Sequence, residues 1–192
     1  MKINQSRHFI LHKPYGFISQ FMSNDAKSHK KKFLGELGKF PEGTMSIGRL
    51  DEKSEGLLLL TTDGRTSNII NASGIEKEYY AQVDGRISIE ALEKMKKGVE
   101  IGIDGRKYQT KPCKVQAIER PNFPERIKKI RDDRHGPTSW VSITLSEGKF
   151  RQVRKMTSAV GFPTLRLIRV RVGTIFLDEL LSGESKEVTH LY

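Results

Sequence analysis

Four consecutive leucines, Leu57–Leu60, stand between Gly56 and the polar segment Thr61-Thr62-Asp63-Gly64. "GLLLL" is the longest apolar run in the chain, far short of the roughly 20 residues that span a bilayer. A run of this length bounded by turn residues reads as a buried strand. It therefore requires a folded core around it. A few residues earlier stands Gly48-Arg49-Leu50-Asp51, an arginine and an aspartate at the edge of the apolar run. A rigid strand leaving an aspartate is able to hold that side chain in one place. The plainer reading is a turn whose Asp51 caps the next segment.

The rest of the chain alternates short strand patterns with few helices. "RHFILHKPYGFISQF" holds two apolar runs punctuated by Pro14 and Gly16. A lysine-rich stretch follows, with one short helix around Phe33 to Leu37. "TMSIGRLD" reads as a strand ending in a turn, and "RTSNIINAS" has the size of a short helix. "EKEYYAQVDG" is a strand with alternating faces and an Asp84-Gly85 turn. "SIEALEKMKKGVEI" is the clearest helix: Ser88 caps it, Ile89, Leu92, Met95 and Lys96 fall at helical spacing, and Gly98 ends it. "VEIGIDGRKYQT" reads as a hairpin about Asp104-Gly105, and "KPCKVQAIER" adds a strand. "RPNFPERIKKIRDDRHGP" is dense in charge and proline and reads as a long arm. "TSWVSITLSEG" resumes strand character, and "KFRQVRKMTSAVGF" suggests a helix ending at Gly161. "TLRLIRVRVGTIFL" alternates basic and apolar residues as a half-buried strand does. This mixture indicates an α+β fold with a largely antiparallel or mixed central sheet and short flanking helices.

At 192 residues and 21.9 kDa the chain suits one medium domain or two small lobes sharing a core. Hydrophobic residues make up 36% and charged residues 30%, enough for a core within a soluble protein. The net charge of +11 favours polyanionic partners, chiefly nucleic acid. Cys113 is the single cysteine, and the scattered histidines show no zinc-ligand spacing, so neither an internal disulfide nor a metal site is expected. The N-terminus lacks a signal-peptide pattern, which points to the cytoplasm and away from membranes. Basic charge collects late: Lys149, Arg151, Arg154, Lys155, Arg166, Arg169 and Arg171, with no acidic residue among them. On a strand, Arg169 and Arg171 share one face, and the expectation is a basic stripe tracking a phosphate backbone, with a plain solvated strand face as the alternative. A second basic cluster, "KSHKKK", lies in the early loop. No helix-turn-helix or zinc finger is legible, and a strand-rich basic protein suits RNA.

Three blocks carry the chemistry. "GRLDEKSEGLLLLTTDG", "KEYY" and "LSEGKFRQVRKM", preceded by "LHKPYG", resemble the signature blocks of the RsuA/RluB/RluE/RluF group of pseudouridine synthases. "PTSWVSITLSEGKFRQVRKMTSAVGFPTLRLIRVRVG" is most similar to the large-subunit rRNA pseudouridine synthase E branch. The resemblance covers nearly the whole chain. It implies the pseudouridine synthase catalytic fold, with an active-site cleft between two sub-lobes, as a single catalytic domain over 1–192 without the S4 domain most members carry. RNA contacts then fall to the catalytic domain itself, including the Lys27–Lys32 loop and the Arg126–Arg134 arm.

By the same resemblance Asp51 is the catalytic nucleophile and Tyr79 packs on the flipped uracil, on a strand begun by Lys77. Arg154 pairs with the aspartate, with Val153 beside it in the pocket. Arg49 enters the base stack as the target leaves, next to Leu50. Arg151, Lys155, Arg166 and Arg169 are the further RNA-binding candidates. Tyr80 stays open as an alternative to Tyr79, and Arg151 or Lys155 to Arg154. The implied reaction isomerises uridine in RNA: N1–C1′ breaks, the uracil turns, and C5 bonds to C1′. These residue types suit it. An opposite charge keeps a carboxylate ionised, a guanidinium is planar enough to fill a stack, and a tyrosine ring offers a flat face for a base. No metal or other cofactor is implied. The expected partner is large-subunit rRNA, free or in an assembly intermediate, met by a monomer. The alternatives are a tRNA or another rRNA site, or an RNA-binding ribosome-assembly factor without catalysis. A glycosidase would want two opposed carboxylates, and only Glu55 and Glu147 stand near the blocks.

Overall fold

The computed structural model describes residues 6–22, 30–72, 74–126, 128–130 and 133–191. In chain order the first elements are β1 (His8–Lys13), β2 (Phe17–Ile18), β3 (Lys32–Phe33), β4 (Met45–Ile47), β5 (Glu55–Thr61) and α1 (Gly64–Ala72). The middle of the chain gives β6 (Lys77–Asp84), α2 (Ile89–Lys97), β7 (Glu100–Ile103), β8 (Arg106–Gln109) and β9 (Lys114–Ile118). The last part gives β10 (Thr138–Leu145), α3 (Gln152–Ala159), β11 (Thr164–Val172), β12 (Ile175–Phe176) and β13 (Ser185–Val188). Strands outnumber helices and pair mainly antiparallel, with β2 and β3 parallel. The fold is α+β. Among the described residues no helix is long and apolar enough to cross a membrane.

The chain forms two compact units, one of Met1–Ile75 with Arg169–Tyr192, the other of Glu76–Ile168. In the first unit the strand order is β13-β1-β5 and then the second half of β11, with β4 beside β5. Leu57–Leu60 are at most 1% exposed, so this strand is covered on both faces. Leu58 and Leu60 pair across β1 with Leu11 and Phe9, and all four pack with Leu34, Phe21 and Phe40. Gly56 explains how β5 reaches β11. Its φ is +105°, and a Cβ there would lie 2.3 Å from the Arg169 carbonyl oxygen, so no other residue fits. Asp63 closes β5 by capping α1: its carboxylate accepts from the Arg65 and Thr66 N–H groups and the Thr66 hydroxyl.

In the second unit the first half of β11 is followed by β6, β10 and β9. One sheet face carries Ala81, Val83, Val115, Val141, Ile143, Leu145 and Leu167. Met95 of α2 with Val153 and Met156 of α3 close over it. Ser88 caps α2 as its sequence indicates, its hydroxyl accepting from the Ala91 N–H at 3.2 Å. The buried stripe of α2 is Ala91 and Met95, whereas Ile89 is 74% exposed. Ile89 lies two residues from Ala91, about 200° round the helix, and so faces away.

One strand carries no signal in the sequence, and one further expectation is corrected. β13 carries no apolar periodicity (Ser-Lys-Glu-Val) and exists because β1 offers it an edge. The solvated basic stripe on β11 is absent: Arg166 and Arg169 are 7% and 3% exposed. Arg169 donates from Nε to the Leu57 carbonyl oxygen at 2.7 Å, because β11 runs beside β5 and brings that oxygen within reach. It ties the two strands together instead of facing solvent.

Candidate active site

The loop Gly48–Ser54 joins β4 to β5 and carries Arg49, Leu50 and Asp51. Four contacts hold it. The Ser19 hydroxyl, buried at the end of β2, donates to the Leu50 carbonyl oxygen and accepts from the Leu50 N–H, both at 2.9 Å. The Gly16 N–H donates to the Glu52 carbonyl oxygen at 2.8 Å, and the Ser54 N–H to the Asp51 carbonyl oxygen at 3.0 Å. Leu50 is buried beneath the loop while Arg49 is exposed, and Gly48 turns the chain at φ +67°. Asp51 is half-buried at the bend. Leu50 thus serves as an anchor for its neighbours.

Lys13 underlies this arrangement. It is fully buried at the end of β1, and its Nζ donates to the Pro14 and Phe17 carbonyl oxygens at 2.9 and 2.6 Å. Burial pushes the ammonium down to about 7, opposed by Glu55, Asp51 and Glu52 and assisted by Arg169. A lysine in this position braces the Pro14–Phe17 turn from within, and that turn supplies the Gly16 N–H. Ser19, Gly16 and Lys13 were not singled out by sequence reasoning. The available signal was Lys-Pro-Tyr-Gly, a first block to which no role had been attached.

In the second unit Lys77 begins β6, and Tyr79 and Tyr80 fall on opposite faces of it. Tyr79 packs against the cluster that holds Val153 and Met156. Tyr80 lies on the other face, its ring 6.3 Å from that of Phe123. Arg154 enters on the first turn of α3 and donates from Nη1 to the Thr164 carbonyl oxygen at 3.3 Å. The packing of α3 on β6 therefore brings Tyr79 and Val153 together, with Arg154 next to Val153 on the same helix, and Tyr80 is left out.

The start of α3 is itself fixed. Arg151 stands before the helix at φ +54°, a left-handed conformation that a non-glycine residue adopts only when its surroundings enforce it. Glu147 is part of that enforcement. It accepts from the Tyr108 hydroxyl, the Lys111 N–H at 2.9 Å and the Gln152 amide. Burial raises the Glu147 carboxyl, but these hydrogen bonds outweigh it and hold the group below the usual carboxylate range. Glu147 is thus committed to structure, which removes it as a second catalytic carboxylate. Lys155 donates to the Gly102 carbonyl oxygen at 2.7 Å, tying α3 to the β7–β8 hairpin. Of the early lysine loop, Lys27 to His29 lie outside the described residues, and Lys30 to Lys32 are exposed. In the arm, Ile127, Arg131 and Asp132 lie outside them as well. No cluster able to hold a metal ion is found among the described residues.

Residues 7–159 match the family described as RNA pseudouridylate synthase. The chain belongs to that family. It is 40% identical over 181 residues to "Ribosomal large subunit pseudouridine synthase E" of Vibrio parahaemolyticus, covering 93% of this chain and 72% of that one. The protein of the same name from Xanthomonas axonopodis pv. citri is 39% identical over 174 residues, covering 89% and 88%. A solved structure described as a pseudouridylate synthase superposes with a TM-score of 0.74 at 30% identity, over 98% of this chain and 73% of that one.

Proposed function

We propose that the protein converts a uridine of large-subunit rRNA to pseudouridine, with Asp51 as the nucleophile. The observation that carries this reading is the clamped loop: a half-buried aspartate whose flanking backbone is held by Ser19 and Gly16. The chain's similarity to relatives named for large-subunit rRNA supports the choice of RNA. A carboxylate carried on a backbone held this firmly is suited to attack at C1′, or to removal of the C2′ proton on the way to a glycal. Either route cleaves N1–C1′, lets the uracil turn, and joins C5 to C1′, with the C5 proton leaving last. Tyr79 supplies the flat face for the uracil, and its hydroxyl relays the C5 proton. Arg154 is the positive charge that the family resemblance assigns to the reaction.

Arg49, exposed on the same loop as Asp51, takes the place of the extruded base. Flipping costs a few kcal/mol and is cheapest where the nucleotide is already unpaired. Free rRNA or an early assembly intermediate, met by one copy of the enzyme, is accordingly the substrate. The whole chain acts as one catalytic domain, in the cytoplasm.

The test is a map of pseudouridines across rRNA and tRNA in cells with and without the gene, complemented by wild type or Asp51→Asn. One rRNA site is expected to disappear with the gene and to return with wild type alone. Restoration by Asp51→Asn would remove Asp51 from the mechanism, and loss of a tRNA site would reassign the substrate.

A further inference from the structure

The unit Glu76–Ile168 contains a cavity of about 350 Å³ on the sheet face that α2 and α3 leave uncovered. Gln82 of β6, its cross-strand partner Trp140 of β10, and Arg166 of β11 form the floor. The segment after β9 folds over them and supplies Arg120, Phe123 and Arg126. With Lys129 included, four cations and one carboxylate, Glu125, line the space, an excess of three positive charges. Two of the polar groups are already oriented. The Gln82 amide donates to the Thr138 hydroxyl at 3.0 Å, and Arg126 donates from Nε to the Lys128 carbonyl oxygen at 2.7 Å. Phe123 is steadied by its edge contact with Tyr80.

The lining has the chemistry of one nucleotide. Arginines and a lysine suit a phosphate. Aromatic walls suit a base that has left its stack, and a pinned amide with hydrogen-bonding capacity to spare suits a base edge. A volume of this size lies in the range of small-ligand pockets. It is also on the face of β6 opposite Tyr79, so a nucleotide in it does not stack on the ring assigned to the target uracil.

We infer that this cavity is a second nucleotide subsite, which takes one unpaired nucleotide of the RNA other than the uridine that is isomerised. This rests on the reading of the chain as an enzyme of RNA. The subsite makes the arm between β9 and β10 a selector of sequence context: RNA lacking an extrudable nucleotide at the right distance binds poorly however good its target uridine.

Trp140 is the only tryptophan in the sequence, so its fluorescence reports the cavity directly. Titrating Asp51→Asn protein with a large-subunit rRNA transcript from the same genome is expected to quench that emission as a base stacks beside the indole. Transcripts with 4-thiouridine scattered through them are expected to crosslink wild-type protein within residues 119–140 at one nucleotide, which is not the one modified. Phe123→Ala and Arg126→Ala, each with an unchanged unfolding midpoint, are expected to raise KM for the transcript at least tenfold and to abolish that crosslink. The crosslink needs no variant to fold. Unquenched emission with RNA bound, crosslinks spread evenly along the RNA, or an unaltered KM would each overturn the subsite. Quenching and a unique crosslink in protein that makes no pseudouridine would uphold the subsite and remove the enzymatic reading instead.

Discussion

Ser19 has no charge and no place in the three signature blocks, yet both hydrogen bonds of its hydroxyl end on Leu50, one residue from Asp51. Ser19→Ala leaves the Leu50 N–H and carbonyl without that partner. The expected cost is about 1–3 kcal/mol of stability, with a fall in kcat of roughly tenfold to a hundredfold because the loop loses its register. Urea unfolding and single-turnover pseudouridylation read the two effects. A fall in kcat much larger than the stability loss implies marks positioning. Lys13 gives a pH signature. Its folded pKa of about 7 lies below its ordinary 10.5, so the unfolded chain holds the extra proton between those values. Stability from this group therefore rises with pH across that window, and its penalty is complete below pH 7. Wild type is expected to gain on Lys13→Met between pH 7 and 10 by up to about 1.4 kcal/mol per pH unit. Urea midpoints for both proteins at several pH values measure the difference. A constant gap would remove the buried ammonium from the account.

At the scale of elements, β6 and β5 make the sharpest predictions. Alternation along β6 separates two adjacent tyrosines. Tyr79→Phe keeps the flat face and removes the hydroxyl, and a loss in kcat of about 10²-fold or more is expected. Tyr80→Phe is expected to lose far less. Equal losses would mean that neither hydroxyl carries the proton. On β5, Gly56→Ala places a methyl on the Arg169 backbone at a φ that side chains avoid, and should cost at least about 3 kcal/mol. The midpoint of urea unfolding checks it. Most elements were legible, because the Ser88 cap, the Asp104-Gly105 hairpin and the leucine strand each announce themselves within a few residues. β13 and the buried stripe of α2 were not. The first is defined by the edge it pairs with, and the second by which side of a nine-residue helix meets the sheet.

For the whole molecule, a net charge of +11 predicts RNA binding that weakens steeply with salt. Reversing one arm cation, Arg120→Glu, is expected to reduce the log–log salt slope by about 1 or more. An unchanged slope in filter binding would leave the arm without a phosphate contact. The family was readable from the sequence alone because its blocks are contiguous: "GRLD", "KEYY" and "EGKFRQVRKM" need no folding to be recognised. The candidate residues Asp51, Tyr79 and Arg154 came from the same source. The tertiary structure decided what surrounds them. Arg169 became a buried tie between strands, and Glu147 a structural hub beneath α3. Ser19 and Gly16 became the clamp on the Asp51 loop, and the charged arm became the roof of a cavity. Most of these contacts join residues distant along the chain, such as Ser19 to Leu50, Tyr108 to Glu147 or Leu57 to Arg169. Such distances close only when strand pairing and register bring the partners together, and no local pattern encodes that meeting.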